Sequence, residues 1–135
     1  MQQTAQTAHN AAQVRVFVVE DSLLIRERLE SMITVAGATV AGHASTVKDA
    51  IAGILVERPT LVILDIQLAD GTGFDVLRAL RKQAPEIDVY LFSNFSAYPY
   101  RQLAERLGAK DFFDKSKEFS LMRDAVAHRA AAGHS

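Results

Sequence analysis

Residues 61–65 read Leu61-Val62-Ile63-Leu64-Asp65. Four apolar residues in a row make a strand with no wet face. Such a strand must be covered on both sides, as in a parallel sheet with helices above and below. The run stops on a carboxylate, and Ile66 to Gly73 intervenes before helical spacing resumes. An acid serving only as a helix cap would be followed by its helix at once.

The same alternation extends in both directions. Toward the N-terminus, the β-branched run Val14–Val19 stops at Glu20-Asp21, and Ser22 is placed to cap a helix. Ile25, Leu29, Met32, Ile33 and Ala36 follow at helical spacing, and Gly37 stops them. Thr39 to Ala44 reads as a second strand. Ser45 or Thr46 then caps a helix with Val47, Ala50, Ile51 and Ile54 on one face, closed by Pro59. Toward the C-terminus, the loop Asp70-Gly71-Thr72-Gly73 leads into a helix with Phe74, Leu77 and Leu80. Ile87 to Phe92 is a fourth strand ending at Ser93. Pro99 suits the first turn of a helix carrying Tyr100, Leu103, Ala104 and Leu107, which Gly108 ends. Lys110 to Phe113 is a fifth strand, followed by Asp114-Lys115-Ser116 and a last helix with Met122, Ala125 and Val126 inward.

This is an α/β pattern, (βα)₅, with short connections. It predicts a doubly wound five-stranded parallel sheet with right-handed crossovers, in the flavodoxin-like order 2-1-3-4-5. In that topology ligands bind beyond the carboxyl ends of the strands, at the switch point between the first and third. Length agrees, since 135 residues fit one domain. We place it over residues 14–131. Residues 1–13 lack Asp, Glu, Lys and Arg and read as a poorly ordered tail, and residues 132–135 as a frayed end.

Composition excludes several classes. Fifteen Lys+Arg against sixteen Asp+Glu leave a net charge of −1, with no global pull toward nucleic acid or an anionic membrane. There is no cysteine, so disulfides, thiolate zinc sites and thiol nucleophiles are out, which suits a cytoplasmic home. No apolar stretch approaches the ~20 residues that cross a bilayer. His9, His43, His128 and His134 have no ligand-like spacing, and no nucleotide loop or nucleophile elbow occurs. Arg26, Arg28, Arg101 and Arg106 read as solvated helix faces.

The carboxyl ends of the strands carry a different message. Strand one delivers Glu20 and Asp21, strand three Asp65, strand four Ser93, and strand five Lys115 just past its end. Singly, the acidic pair reads equally well as a helix N-terminus, Ser93 as a turn residue and Lys115 as a solvated lysine. Jointly they bring three carboxylates, a hydroxyl and an ammonium to one edge. Carboxylates this close repel, so either one takes up a proton or a hard cation neutralises them. Oxygen-only donors favour Mg²⁺. A carboxylate is also a competent nucleophile toward phosphorus, and phosphoryl transfer requires mainly positioning and charge stabilisation.

These residues carry a family resemblance. From about Val14 to about Ala131 the chain resembles the response-regulator receiver domains of bacterial two-component signalling, of the stand-alone, CheY-like type. The motifs are Val18-Val19-Glu20-Asp21, Leu61 to Asp65 with downstream Asp70-Gly71 and Gly73, the hydroxyl of Ser93, and Gly108-Ala109 before Phe112-Phe113-Asp114-Lys115. The resemblance implies that Asp65 accepts a phosphoryl group from a histidine kinase or histidine phosphotransferase. It implies Mg²⁺ held by Asp21 and Asp65, by the backbone carbonyl of Gln67, and by Glu20 through water. Lys115 would pair with the phosphoryl oxygens, Ser93 would move to hydrogen-bond one of them, and Phe112 would be the switch aromatic that turns inward as Ser93 moves.

Three positions depart from the family pattern. Ser116 follows the lysine where proline with a cis bond is frequent, Asn94 follows the hydroxyl where a small residue is usual, and Phe112 lacks a tyrosine hydroxyl. The sequence past the last helix is too short for a DNA-binding module, so the expected output is to a downstream protein, with no direct nucleic-acid or membrane contact. A docking switch, a shuttle passing the phosphoryl group onward and the receiver of a longer DNA-binding regulator are the readings within the family. The enzyme rival is a haloacid-dehalogenase-like phosphatase, whose Asp-x-Asp-Gly-Thr motif is imitated by Asp70-Gly71-Thr72, but Leu68 stands at the nucleophile position.

Overall fold

The computed structural model describes residues 13–133. The expected tail over residues 1–13 therefore lies outside the described residues apart from Gln13, as do residues 134 and 135. In chain order the elements are β1 (Arg15–Val19), α1 (Leu23–Val35), β2 (Thr39–Ala44), α2 (Val47–Glu57), β3 (Leu61–Leu64), α3 (Gly73–Gln83), β4 (Asp88–Ser93), α4 (Tyr98–Arg106), β5 (Asp111–Asp114) and α5 (Phe119–Gly133). A two-residue antiparallel ribbon pairs Gln67 with Thr72 and Leu68 with Gly71 outside the main sheet. The helix α5 runs on through residues 132 and 133, past the expected domain limit at residue 131.

The five main strands lie in the order β2-β1-β3-β4-β5, all parallel, so the predicted (βα)₅ winding is the observed one. Register aligns the strand ends: Val19 lies beside Leu64, Leu64 beside Leu91, and Ser93 beside Asp114. Strand limits differ from the sequence reading by a residue for a visible reason. The Ile87 N–H bonds back to Ala84, which keeps Ile87 out of the ladder, and the Lys115 N–H donates to the Ser93 carbonyl, which carries pairing past Phe92.

The uniform apolarity of β3 is explained by two separate core layers. Val62 and Leu64 join Val19, Ile54, Leu77, Leu80, Leu91 and Phe112 under α2, α3 and α4. Leu61 and Ile63 join Val16, Val18, Leu29, Ile33, Phe92, Met122 and Val126 under α1 and α5. Each fully buried aliphatic side chain contributes about 1.5–3 kcal/mol, so β3 anchors both layers. Phe17 fills a gap that two glycines leave: a Cβ on Gly42 or Gly53 would stand 2.9 or 2.8 Å from its ring.

Helix starts follow the cap chemistry. The Ser22 hydroxyl accepts from the Ile25 N–H at 3.3 Å, and Thr46, not Ser45, caps α2 by accepting from Asp49 N–H at 3.1 Å. These caps set the helix ends next to the carboxyl edge of the sheet, where the acids lie.

Candidate functional site

Two backbone bonds fix the acids at the strand ends. Glu20 N–H donates to Ala44 O and Asp65 N–H to Val19 O, each at 3.0 Å. Glu20 and Asp65 are buried, at 3% and 6% exposure, while Asp21 faces solvent. Oxygens from the three carboxylates all lie within 4.8 Å of one another.

Lys115 reaches in from just past β5. Its Nζ stands 2.8 Å from Glu20 Oε1 and 3.0 Å from Asp65 Oδ2. The other oxygens are held by backbone: Ile66 N–H donates to Asp65 Oδ1 at 2.7 Å, and Ser22 N–H to Glu20 Oε2 at 3.1 Å. Burial raises the Glu20 carboxyl above its ordinary range, and the bonds from Lys115 and Ser22 only partly offset that. Burial alone would lower Lys115, but the hydrogen bonds and charges of Glu20 and Asp65 outweigh it and hold the ammonium above its usual value. The lysine is therefore a fixed cation wedged between two carboxylates.

Gly73 builds the wall behind Asp65. Its N–H donates to Ile66 O at 2.7 Å, and a Cβ there would lie 2.2 Å from the Asp65 carbonyl oxygen. Only glycine lets α3 start so close to the acid. Gln67, two residues past Asp65, sits in the ribbon with its side chain exposed. Asp70 lies elsewhere: it caps α2 from outside, accepting from Val47 N–H at 2.6 Å and Lys48 N–H at 3.2 Å.

Ser93 is fully buried, and its Oγ accepts from Phe95 N–H at 3.0 Å. Phe112 is buried, at 8% exposure, with the Arg101 guanidinium 4.8 Å from its ring centroid. Arg101 corrects the sequence reading, since it is no solvated face. It donates to Ser96 O at 2.9 Å, Phe112 O at 3.2 Å and Glu118 Oε1 at 3.0 Å, tying α4 to the loops after β4 and β5. Arg28 lies over the Phe119 ring at 3.9 Å, so it too is more than a solvated charge. Sequence reasoning missed the role of Arg101 because its partners lie 5 to 17 residues away, on β5 and in the loops after β4 and β5.

Three hard carboxylate donors without nitrogen or sulfur fit a small divalent cation such as Mg²⁺ better than zinc or copper. A buried carboxylate, an ammonium beside it and three carboxylate donors at one sheet edge are the kinds of group phosphoryl transfer to an acid requires.

Comparison with known proteins agrees. A family model described as the response regulator receiver domain matches residues 16–127. The chain is 30% identical over 112 residues to the chemotaxis protein CheY of Thermotoga maritima, covering 83% of this chain and 93% of that protein. It is 32% identical over 113 residues to the probable C4-dicarboxylate response regulator DctR of Bacillus subtilis, again 83% of this chain but 50% of that protein. The receiver domain of a putative LuxO repressor protein from Vibrio parahaemolyticus superposes with a TM-score of 0.80 at 26% identity, over 90% of this chain and 92% of that one. The fold, the acids at its carboxyl edge and the family match over residues 16–127 lead to one conclusion: the chain belongs to the response regulator receiver domain family of two-component signalling.

Proposed function

We propose that Asp65 is the phosphoacceptor of this receiver, taking the group from a phosphohistidine on a histidine kinase or histidine phosphotransferase. The observation that carries the reading is the Lys115 ammonium 3.0 Å from Asp65 Oδ2 at a buried site shared with Glu20 and Asp21. A carboxylate oxygen of Asp65 attacks phosphorus, the P–N bond breaks, and the imidazole leaves with the electron pair and takes up a proton. Lys115 faces the transferred oxygens and balances their charge. Ser93 Oγ leaves the Phe95 N–H and donates to one of them. Mg²⁺ would be held by Asp21, Asp65 and the Gln67 carbonyl, with Glu20 through water, and would supply further neutralisation of the phosphoryl charge.

The phosphorylated chain then signals to a protein partner through the surface beside Ser93. Tyr98, exposed at 70%, and the Phe95 ring in the loop after β4 paired with Tyr100 at the start of α4 support that choice of face. The site chemistry is tested with purified protein, a phosphorylated kinase and Mg²⁺. Labelling is expected for the native chain, and none with a chelator or in Asp65→Asn. Labelling of Asp65→Asn equal to the native chain overturns the assignment.

A further inference from the structure

Two departures from the family pattern, Asn94 and Ser116, turn out to be one feature. The Ser116 Oγ–H donates to Asn94 Oδ1 at 3.0 Å, across 22 residues of chain. The bond joins the residue after Ser93 to the residue after Lys115, the two groups placed to hold phosphoryl oxygens. Two further ties run alongside it: Lys115 N–H to Ser93 O at 3.0 Å, and Ser96 Oγ to Asp114 Oδ2. Asp114 Oδ1 in turn accepts from Ser116 N–H at 2.8 Å and Lys117 N–H at 3.0 Å, which fixes the serine on its side.

A recess of about 170 Å³ lies against the same two loops, lined by Ile25, Arg28, Phe92, Asn94, Lys115 and Phe119. It has room for water, and Asn94 and Lys115 share its wall.

We propose that the Asn94–Ser116 pair is a positioning clasp that lengthens the life of the aspartyl phosphate. It holds the Ser93 and Lys115 loops together and restrains Asn94 at the wall of the recess beside them, limiting the movement that would admit water to the phosphoryl group. The step it slows is hydrolysis. Water attacks phosphorus, the bond to the Asp65 oxygen breaks, the carboxylate leaves with the electron pair, and the water's protons pass to the released phosphate and solvent. The proposal rests on Asp65 being the phosphoacceptor.

The test is decay of the acid-labile phosphoryl group after loading the full chain with acetyl phosphate and Mg²⁺ and then removing the donor. A lost hydrogen bond at an exposed site corresponds to a change of roughly threefold. Ser116→Ala and Asn94→Ala are each expected to speed decay by about that factor, and the double variant to decay no faster than the faster single one. Ser116→Thr keeps the hydroxyl donor and is expected to restore the native lifetime, which a general loosening of the loop would not do. Unchanged decay in both single variants, strictly multiplicative effects, or no rescue by Ser116→Thr overturns the clasp. Phosphorylated native protein whose decay ignores these substitutions leaves the Asp65 reading standing, whereas a native chain that takes no phosphoryl group overturns both.

Discussion

Gly73→Ala should disable the site without touching any acid. The added Cβ would lie 2.2 Å from the Asp65 carbonyl oxygen and 3.2 Å from Ile66 Cα. An ordinary carbon–oxygen contact is about 3.3 Å or more, so backbone must give by roughly 1 Å. The colliding atoms are main chain on both sides, so no rotamer change relieves the clash. Either the start of α3 retreats and the Gly73–Ile66 bond stretches, or Asp65 is pushed toward Lys115. Overpacking of this kind costs about 1–3 kcal/mol. For a domain of this size that is a fall in Tm of roughly 3–12 °C. A misplacement of about 1 Å at a reacting group lowers rate on the order of 100-fold. Thermal unfolding by circular dichroism reads the first effect and the initial rate of phosphorylation by acetyl phosphate reads the second. A variant that melts within a degree of the native protein and labels at the native rate would refute the packing argument.

Lys115→Met leaves Glu20 and Asp65 buried without their shared cation, at a cost of about 3 kcal/mol at neutral pH. The raised Lys115 value means that its stabilisation is complete below the unfolded lysine pKa of about 10.4 and disappears as pH climbs through the higher folded value. Urea unfolding should therefore separate native and variant proteins at pH 7 and bring them together in strong alkali, and Mg²⁺ should raise the variant's Tm more than the native one; equal Mg²⁺ responses would count against the cation competition. Asp70→Ala uncaps α2, which should speed amide exchange at Val47 and Lys48. Hydrogen bonds from those two backbone groups, Val47 foremost, hold the Asp70 carboxyl low, so its stabilisation is present above about pH 3.9 and lost as pH falls through the depressed value. The Tm gap between native and Asp70→Ala protein should close in acid, and one that persisted there would mean the cap is not the cause. Beryllofluoride with Mg²⁺ should shift backbone NMR signals over residues 93–115 and 118–127 and leave 47–57 little changed, and Arg101→Lys should weaken the shifts beyond 115; identical shift maps would show that Arg101 does not connect the loops.

The fold was readable because its signals are local. Leu61 to Leu64 announce a covered strand, Ser22 and Thr46 announce helix starts, and an acid or hydroxyl at each strand end marks the functional edge. Glu20, Asp21, Asp65 and Lys115 meet because parallel topology brings those ends together, a consequence of winding alone. What stayed hidden depends on partners distant in the chain. Asp70 reads as part of the loop after β3, yet it serves a helix that begins 23 residues earlier. Arg101 reads as one charge among several on a helix, and only the packing of α4 on β5 turns it toward three acceptors. Asn94 and Ser116 look like two unrelated departures until their side chains meet.

The buried Phe112 ring changes where the energy of a switch must come from. Turning an exposed phenylalanine inward would release about 1.5–3 kcal/mol. Here Phe112 is 8% exposed with Arg101 over its ring, so little of that source is left in this conformation. What remains is an exchange of polar bonds. On the proposed role of Ser93, its Oγ would give up the Phe95 N–H at 3.0 Å for a phosphoryl oxygen, a charge-assisted bond roughly twice as strong as the neutral one it replaces. A net gain of about 1 kcal/mol shifts a two-state population about fivefold. The freed Phe95 N–H belongs to the same short loop as Ser96, whose carbonyl holds Arg101 and whose hydroxyl holds Asp114. A movement of Ser93 would therefore be passed to α4 through Arg101 and to the start of α5 through Glu118, because Arg101 bonds Ser96 O, Phe112 O and Glu118 Oε1 together. On the proposed role of Ser93, the polar ties around Phe112 would carry the change.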